Sequence, residues 1–376
     1  MGKYISSTLR NIDWYLVACI IPLLIMSVLT MSSFEAGGVS YAGRQLIWIG
    51  VSVSMMLFLA RSNLSILKES NIVLTAYISG ILLLIGLIFF GSTINGSTSW
   101  YSFGFFSFQP SDLAKLFLIL ILAKYLARRH VAIKSMKHLL ITGLYFVLPF
   151  FLIFIQPDFG SAAIFIAIWF GMILISGISK KHITLLAIIS LVLGVGLWFG
   201  VLKDYQKARI TSFLDPLSDI QGAGYNAYQS MIAVGSGEVW GKGVGYGTQS
   251  RLSFLPEYQT DFIFASVSEE WGFIGSVVSL LCLLGIIARI LYLGLQMNGN
   301  FELLYAVGVA VYFLAHVVIN IGMNIGVLPV TGVTLPFLSY GGSHLIIEFM
   351  ALGILMSFKG GANRIYADES PELFLR

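Results

Sequence analysis

Charge is what this 376-residue chain has least of: Asp, Glu, Lys and Arg make up 11% of it, where a water-soluble domain carries about a quarter. With 57% hydrophobic residues and a mean hydropathy of +0.88, that scarcity excludes an ordinary soluble enzyme and predicts a polytopic membrane protein. Cysteine is nearly absent. Cys19 and Cys282 both fall inside apolar runs, where packing accounts for them and neither a disulfide framework nor a zinc site has support. The few histidines (His130, His138, His182, His316 and His344) show no ligand spacing, which excludes a structural zinc site. Gly241-Lys242-Gly243 lacks the spacing of a nucleotide loop. The net charge of +4 is spread over short loops and does not form a soluble basic face, so nucleic acid is excluded as a partner. No small-residue cleavage site follows the first apolar run, which is read as a retained span.

Apolar windows of spanning length, about 20 residues each, cover 14–34, 45–61, 71–90, 112–128, 139–155, 160–178, 183–201, 262–288, 303–327 and 343–358. The expected fold is an all-α polytopic membrane protein of about ten transmembrane helices. It forms a single domain over residues 1–376. The second, fourth and tenth windows are short or carry a charge, and Lys115 and Lys124 bracket the apolar run of the fourth.

Basic residues set the orientation, because cytoplasmic loops retain them. One alternating set of loops holds Lys3, Arg10, Arg61, Lys68, Lys124, Arg128, Arg129, Lys134, Lys137, Lys180, Lys181, Arg289, Lys359, Arg364 and Arg376; the opposite short loops hold only Arg44. Both termini are therefore expected in the cytoplasm, with a large extracytoplasmic loop over about 202–261 between helices 7 and 8. Eight glycines lie between Gly222 and Gly247, interleaved with Tyr225, Tyr228, Trp240 and Tyr246. That mixture suits tight turns and close backbone packing, with short helical or re-entrant pieces.

An ionisable group at membrane depth costs about 2.5–3.5 kcal/mol, so each needs a partner or a function. Asp261 follows Pro256-Glu257-Tyr258-Gln259-Thr260 and opens an apolar run, which puts it at the outer membrane surface on or near a helix N-terminus. It either caps that helix or faces a lipid headgroup. Glu269 and Glu270 fit a packing role through hydrogen bonds better than direct chemistry. Lys115 lies in the first turn of the fourth span beyond Ser111, a candidate N-cap, and a cation there calls for a neighbouring anion. Asp158 or Asp112 supplies it structurally, a phosphate functionally. Arg44 and Arg209 are either snorkelling residues or the bidentate oxygen binders an anionic headgroup requires. His316 reads as a hydrogen-bonded core residue, and Glu348 joins the ionisable groups at depth.

The runs QPSDLAK, QPDFGSA, RITSFLDP, GAGYNAYQS, GSGEVWGKGVGYGTQ, FLPEYQTDFIFASVSEEWGFIG and NIGMNIGVLPVTGVTLPFLSYGGS resemble, in order, the signatures of the SEDS family (shape, elongation, division and sporulation). Gly224-Tyr225-Asn226 and Gly247-Thr248-Gln249 are similar to its rod-shape-determining branch more than to its division branch. The resemblance implies a peptidoglycan glycosyltransferase of the bacterial cytoplasmic membrane that polymerises lipid II and works with a class B penicillin-binding protein. By the same resemblance Asp261 matches the essential aspartate, and Trp100, Arg44, Gln109, Lys115 and Asp158 match other site positions. Glu257 and Arg209 are grouped with these as substrate contacts. Four positions depart from the family pattern: Gln259 for histidine, Ser107 for arginine, Asp112 for glutamate and His316 for glutamine. With no basic residue at Ser107, the resemblance assigns no particular arginine as the clamp on the pyrophosphate.

The implied reaction needs a base for an acceptor sugar hydroxyl, for which Asp261 is the outward-facing carboxylate on a rigid element. It also needs positive charge for the leaving pyrophosphate, from Arg44, Lys115 and Arg209, with a divalent cation (magnesium or manganese) as a further source. Trp100 suits the mouth of a groove for the polyprenyl tail, or plain interfacial anchoring. A transporter that flips the same lipid is the rival reading, and a non-catalytic scaffold is a third.

Overall fold

The computed structural model describes residues 12–34, 40–69, 71–94, 97–104, 107–128, 135–200, 224–252 and 254–369, with Lys207, Thr211 and Phe213. Arg209, a candidate pyrophosphate contact, lies outside the described residues, as does Ser212 of the RITSFLDP run. Among those described, the long helices are α1 (Trp14–Ser32), α2 (Tyr41–Arg61), α3 (Ile72–Phe90), α4 (Pro110–Ala127), α5 (Met136–Ile155), α6 (Phe159–Ile175), α7 (Lys180–Gly200), α8 (Ile263–Leu295), α9 (Asn300–Asn324) and α10 (Gly342–Glu369). Each coincides with one apolar window. Eight are long and apolar enough to cross a bilayer; α6 is shorter at 17 residues, and α4 carries Asp112, Lys115 and Lys124.

Helix starts follow from the local sequence. Asp13 accepts from Leu16 N at 3.2 Å, Ser40 from Gly43 N at 3.1 Å and Asp158 from Ser161 N at 2.9 Å, each satisfying an amide that the first turn leaves open. The expected cap at Ser111 is corrected: Gln109 occupies the cap position and Pro110 the first turn, where proline sacrifices no intrahelical bond. Ser111 instead meets Ser161 of α6, hydroxyl to hydroxyl at 3.3 Å.

The charged fourth window forms the centre of the bundle. From Leu116 to Ala123 every α4 side chain except Phe117 is buried, the signature of a helix surrounded by protein. Its first turn buries Asp112 and Lys115 as well. Beside it stand α9 and α10, also largely buried, while α1, α2, α3 and α5 present apolar outer faces. None of the described side chains of α7 is buried.

Two features were not read from the sequence. Ser92–Ile94, Ser97–Ser102 and Ser107–Phe108 form an antiparallel sheet, β1-β2-β3, on the corner between α3 and α4, so the chain is not purely helical. In addition, α8 breaks at Gly272, whose φ of 69° and ψ of −165° suit glycine alone among the ordinary residues. Beyond the end of α7, the polar loop supplies helices Tyr225–Ser236 and Thr248–Arg251, matching the expectation of short helical pieces.

Basic side chains collect at one end of the bundle. There Asp13 receives Arg289 Nε at 3.0 Å and Nη2 at 2.8 Å and Lys359 Nζ at 2.8 Å, joining α1, α8 and α10. Lys68 pairs with Glu302, and Arg128 reaches Lys68 O. Burial alone would raise the Asp13 carboxyl, but the bonds from Arg289 and Lys359 outweigh it and hold it at about 2. Because the folded value lies below the unfolded one of about 3.9, this clamp stabilises fully above about pH 4 and is lost as pH falls toward 2. Thermal unfolding in detergent is expected to show that acid limb, with Asp13→Asn lower at neutral pH and flatter through the same window.

Candidate functional site

Asp261 is held through its backbone. It lies in the turn before α8, which begins at Ile263, in keeping with the expected place near a helix N-terminus. Three successive carbonyls of this turn are each taken by a distant donor. Gln259 O accepts from Tyr340 N at 2.8 Å, Thr260 O from Ser339 Oγ at 2.7 Å, and Asp261 O from Asn320 Nδ2 at 2.9 Å and Asn324 Nδ2 at 3.1 Å. Asn324 Oδ1 also accepts from Ala265 N at 3.0 Å. The half-buried side chain rests over Gly332, where an added Cβ would stand 3.3 Å from Asp261 Oδ2 and where φ is 73°. Gly332 thus serves both a left-handed turn and a close approach.

Glu257 belongs to the same turn. Its φ is 51°, its carbonyl accepts from Thr260 N and Phe262 N at 3.1 Å each, and its carboxylate takes Thr260 Oγ1 at 3.0 Å. Arg44 is exposed in the first turn of α2. That turn is joined to Asp261's segment through Tyr41, which meets Tyr340 edge-on at 5.3 Å. Burial, with Tyr41 and Glu257 close by, pushes the Tyr258 hydroxyl above its ordinary value.

Gln109 and Asp158 come together, Nε2 to Oδ2 at 3.1 Å. They reach the Asp261 region through the α9–α10 connection: a side chain at Gly160 would collide with Thr331 O and Val333, the residues flanking Gly332. Asn320 Nδ2 also donates to Val333 O at 2.7 Å. Trp100 sits elsewhere, half-buried on β2 opposite Ser92, and the sheet packs on α3, α4 and α10.

Lys115 lies under the α9–α10 connection in a buried polar cluster. Of the two anions expected for it, Asp112 is the partner, at 2.8 Å. Asp112 Oδ2 is 3.5 Å from His344 Nδ1, and His344 Nε2 is 2.7 Å from Glu348 Oε1. His316 lies beside His344, the rings tilted with centroids 4.9 Å apart, and meets Thr334 O through Nδ1 at 3.0 Å. Asn320, Asn324, Ser339 and His344 were missed as site residues. For His344 the signal was present, because its spacing of four from Glu348 places both on one helix face.

Glu269 and Glu270 anchor the polar loop to the outer part of α8. Glu269 Oε1 receives Lys242 Nζ and Thr248 N at 2.8 Å and Gln249 N at 3.1 Å, while Oε2 receives Ser250 Oγ at 3.3 Å. Glu270 Oε1 receives Ser33 Oγ at 2.7 Å and Gly245 N at 2.9 Å. The loop backbone then bridges the break in α8, Lys242 N to Glu269 O and Phe273 N to Glu238 O, both at 2.9 Å. A cleft of about 510 Å³ opens here, lined in part by Phe34, Tyr246, Arg251 and Tyr258. Chemically, the region offers a half-buried carboxylate on an anchored backbone, an exposed guanidinium in the first turn of α2 and an aromatic cleft.

The sequence profile of the FtsW/RodA/SpoVE family, described as cell cycle proteins, matches residues 9–363. The chain is 35% identical over 347 residues to the peptidoglycan glycosyltransferase MrdB of Escherichia coli K12, covering 92% of this chain and 93% of that one. In three dimensions it is similar to a protein from a structure described as the coordination of polymerization and crosslinking by a peptidoglycan synthase complex: TM-score 0.80, 28% identity, 93% of this chain and 98% of that one. It is similar also to the rod shape determining protein RodA of Thermus thermophilus, with a TM-score of 0.70 and 26% identity over 93% of this chain and 97% of that one.

Glu269→Ala is expected to strand Lys242 and three loop amides at a cost of about 3 kcal/mol. Hydrogen exchange checks it: amides over 242–251 should exchange faster while those of α9 keep their protection.

Proposed function

The chain belongs to the FtsW/RodA/SpoVE family of cell cycle proteins, and on that premise we propose how it works as a peptidoglycan glycosyltransferase in cell shape. The substrate is lipid II, a disaccharide-pentapeptide on undecaprenyl pyrophosphate, and the crosslinking partner is a class B penicillin-binding protein. The membrane is the bacterial cytoplasmic one. Both termini lie inside and the 202–261 loop lies outside, a reading supported by the basic residues collected at the end opposite Asp261.

In the mechanism, Asp261 takes the proton of the acceptor sugar's 4-hydroxyl as that oxygen bonds to the donor's anomeric carbon. The bond from that carbon to the pyrophosphate oxygen breaks, and its electron pair leaves with the lipid pyrophosphate. The observation that carries this reading is the fixing of three carbonyls around Asp261 while its carboxyl rests over Gly332. Backbone anchoring of that kind sets a base within the narrow tolerance catalysis demands. Arg44 meets the leaving charge. Gln109 and Asp158 contact sugar hydroxyls. Lys115, committed to Asp112, acts from beneath by supporting the α9–α10 connection. Among the described residues no three His, Cys, Asp or Glu side chains converge as metal ligands. No step is routed through a divalent cation.

The decisive experiment incubates the purified full-length chain with lipid II, with and without its transpeptidase partner, and resolves glycan polymer on gels. Polymer is expected from wild type. None is expected from Asp261→Asn, which should insert and melt like wild type; full activity in that variant removes Asp261 from the base role. Lys115→Ala leaves Asp112 buried without its cation and should cost about 3–5 kcal/mol of stability, read by thermal unfolding. Asp112→Leu/Lys115→Leu should recover much of that loss.

A further inference from the structure

Glu348 is a carboxylate on α10, fully buried at a depth where a charge is costly. Buried ion pairs add little net stability compared with apolar side chains of similar volume, so stability alone is a poor reason for its presence. One of its oxygens faces the protein backbone. Glu348 Oε2 accepts from Phe337 N at 3.0 Å, a charge-assisted bond. Phe337 has a φ of 62°, a left-handed conformation that costs a bulky residue about 1–3 kcal/mol and persists only where the surroundings enforce it. Its ring is buried against Phe313 and Phe349, with centroids 5.5 Å away in each case.

From Phe337 the path to Asp261 is short. Two residues on, Ser339 Oγ accepts from Leu335 N at 2.7 Å and donates to Thr260 O at 2.7 Å. Next, Tyr340 N donates to Gln259 O at 2.8 Å. In the other direction, Glu348 Oε1 is 2.7 Å from His344, which is 3.5 Å from Asp112, itself paired with Lys115 on α4. A line of polar contacts thus runs from the central helix through α10 into the turn that holds the base.

We propose that Glu348 is a positioning residue for glycan polymerisation: by holding the Phe337 amide it fixes the left-handed turn whose Ser339 and Tyr340 orient the carbonyls beside Asp261. This rests on the polymerase reading. What the turn needs from residue 348 is an acceptor; the charge serves His344. Glu348→Gln keeps an acceptor oxygen, whereas Glu348→Leu fills the space without one.

The test uses the full-length chain in nanodiscs with its transpeptidase partner and lipid II at graded concentrations. Glu348→Leu is expected to lower kcat by at least about tenfold with KM within about twofold, and Glu348→Gln to stay within about threefold of wild-type kcat. Hydrogen exchange over 335–341 should quicken in Glu348→Leu and not in Glu348→Gln. Normal kcat in Glu348→Leu overturns the proposal. So does Glu348→Gln that is as impaired as Glu348→Leu or fails to fold, since charge or bulk packing would then be the requirement. Should wild type make no polymer, the polymerase reading fails by itself. Hydrogen exchange then decides whether Glu348 holds the turn, and unchanged exchange in Glu348→Leu overturns that contact as well.

Discussion

The structure depends on the capture of three backbone carbonyls in a row. A turn ahead of a membrane helix has oxygens with no partner in its own segment, and at the edge of a bilayer such oxygens are costly. Here Gln259, Thr260 and Asp261 find theirs in Tyr340, Ser339, Asn320 and Asn324. All four come from α9 or from the chain between α9 and α10. The bonds that remove the desolvation cost therefore also hold the backbone from which the Asp261 carboxylate projects, and folding and the placement of that side chain draw on the same contacts.

Charge follows a similar economy throughout the bundle. Each acidic group described at depth meets a donor: Asp112 has Lys115, Glu269 has Lys242 and three loop amides, and Glu348 has a backbone amide. These contacts fall between elements distant in sequence. Polar groups inside a membrane protein recognise one another more sharply than apolar faces do, because lipid competes for the latter and not for the former. The apolar majority gives the bundle its bulk, and the charged minority gives it its register.

Much of this was legible beforehand. Ten apolar windows became ten helices, and the glycine-rich loop acquired short helices packed on α8 through Glu269 and Glu270. The central position of α4 was harder to see, because window hydropathy penalises Asp112, Lys115 and Lys124, although the first two neutralise each other inside the bundle. The sheet was missed because its strands are two to six residues long and rich in serine, too short for a clear alternation; the dipeptide Asn95-Gly96 between β1 and β2 was the available turn signal. Asp261, Gln109 and Asp158 could be singled out by residue type and by resemblance. Their surroundings could not, since Asn320 and Asn324 lie about sixty residues from Asp261 and a polar pair four apart on an apolar helix looks the same whatever it grips.

The break at Gly272 gives α8 two mechanical owners. Its short outer part is fastened to the polar loop by the Lys242 amide and to α9 by Asn324, while the long part gives its Phe273 amide to the same loop and is tied to Asp13 through Arg289. Membrane rods lean as local bilayer thickness varies. Because the polar loop is bonded on both sides of the glycine, it splints the break, and a tilt of the long part carries the loop with it.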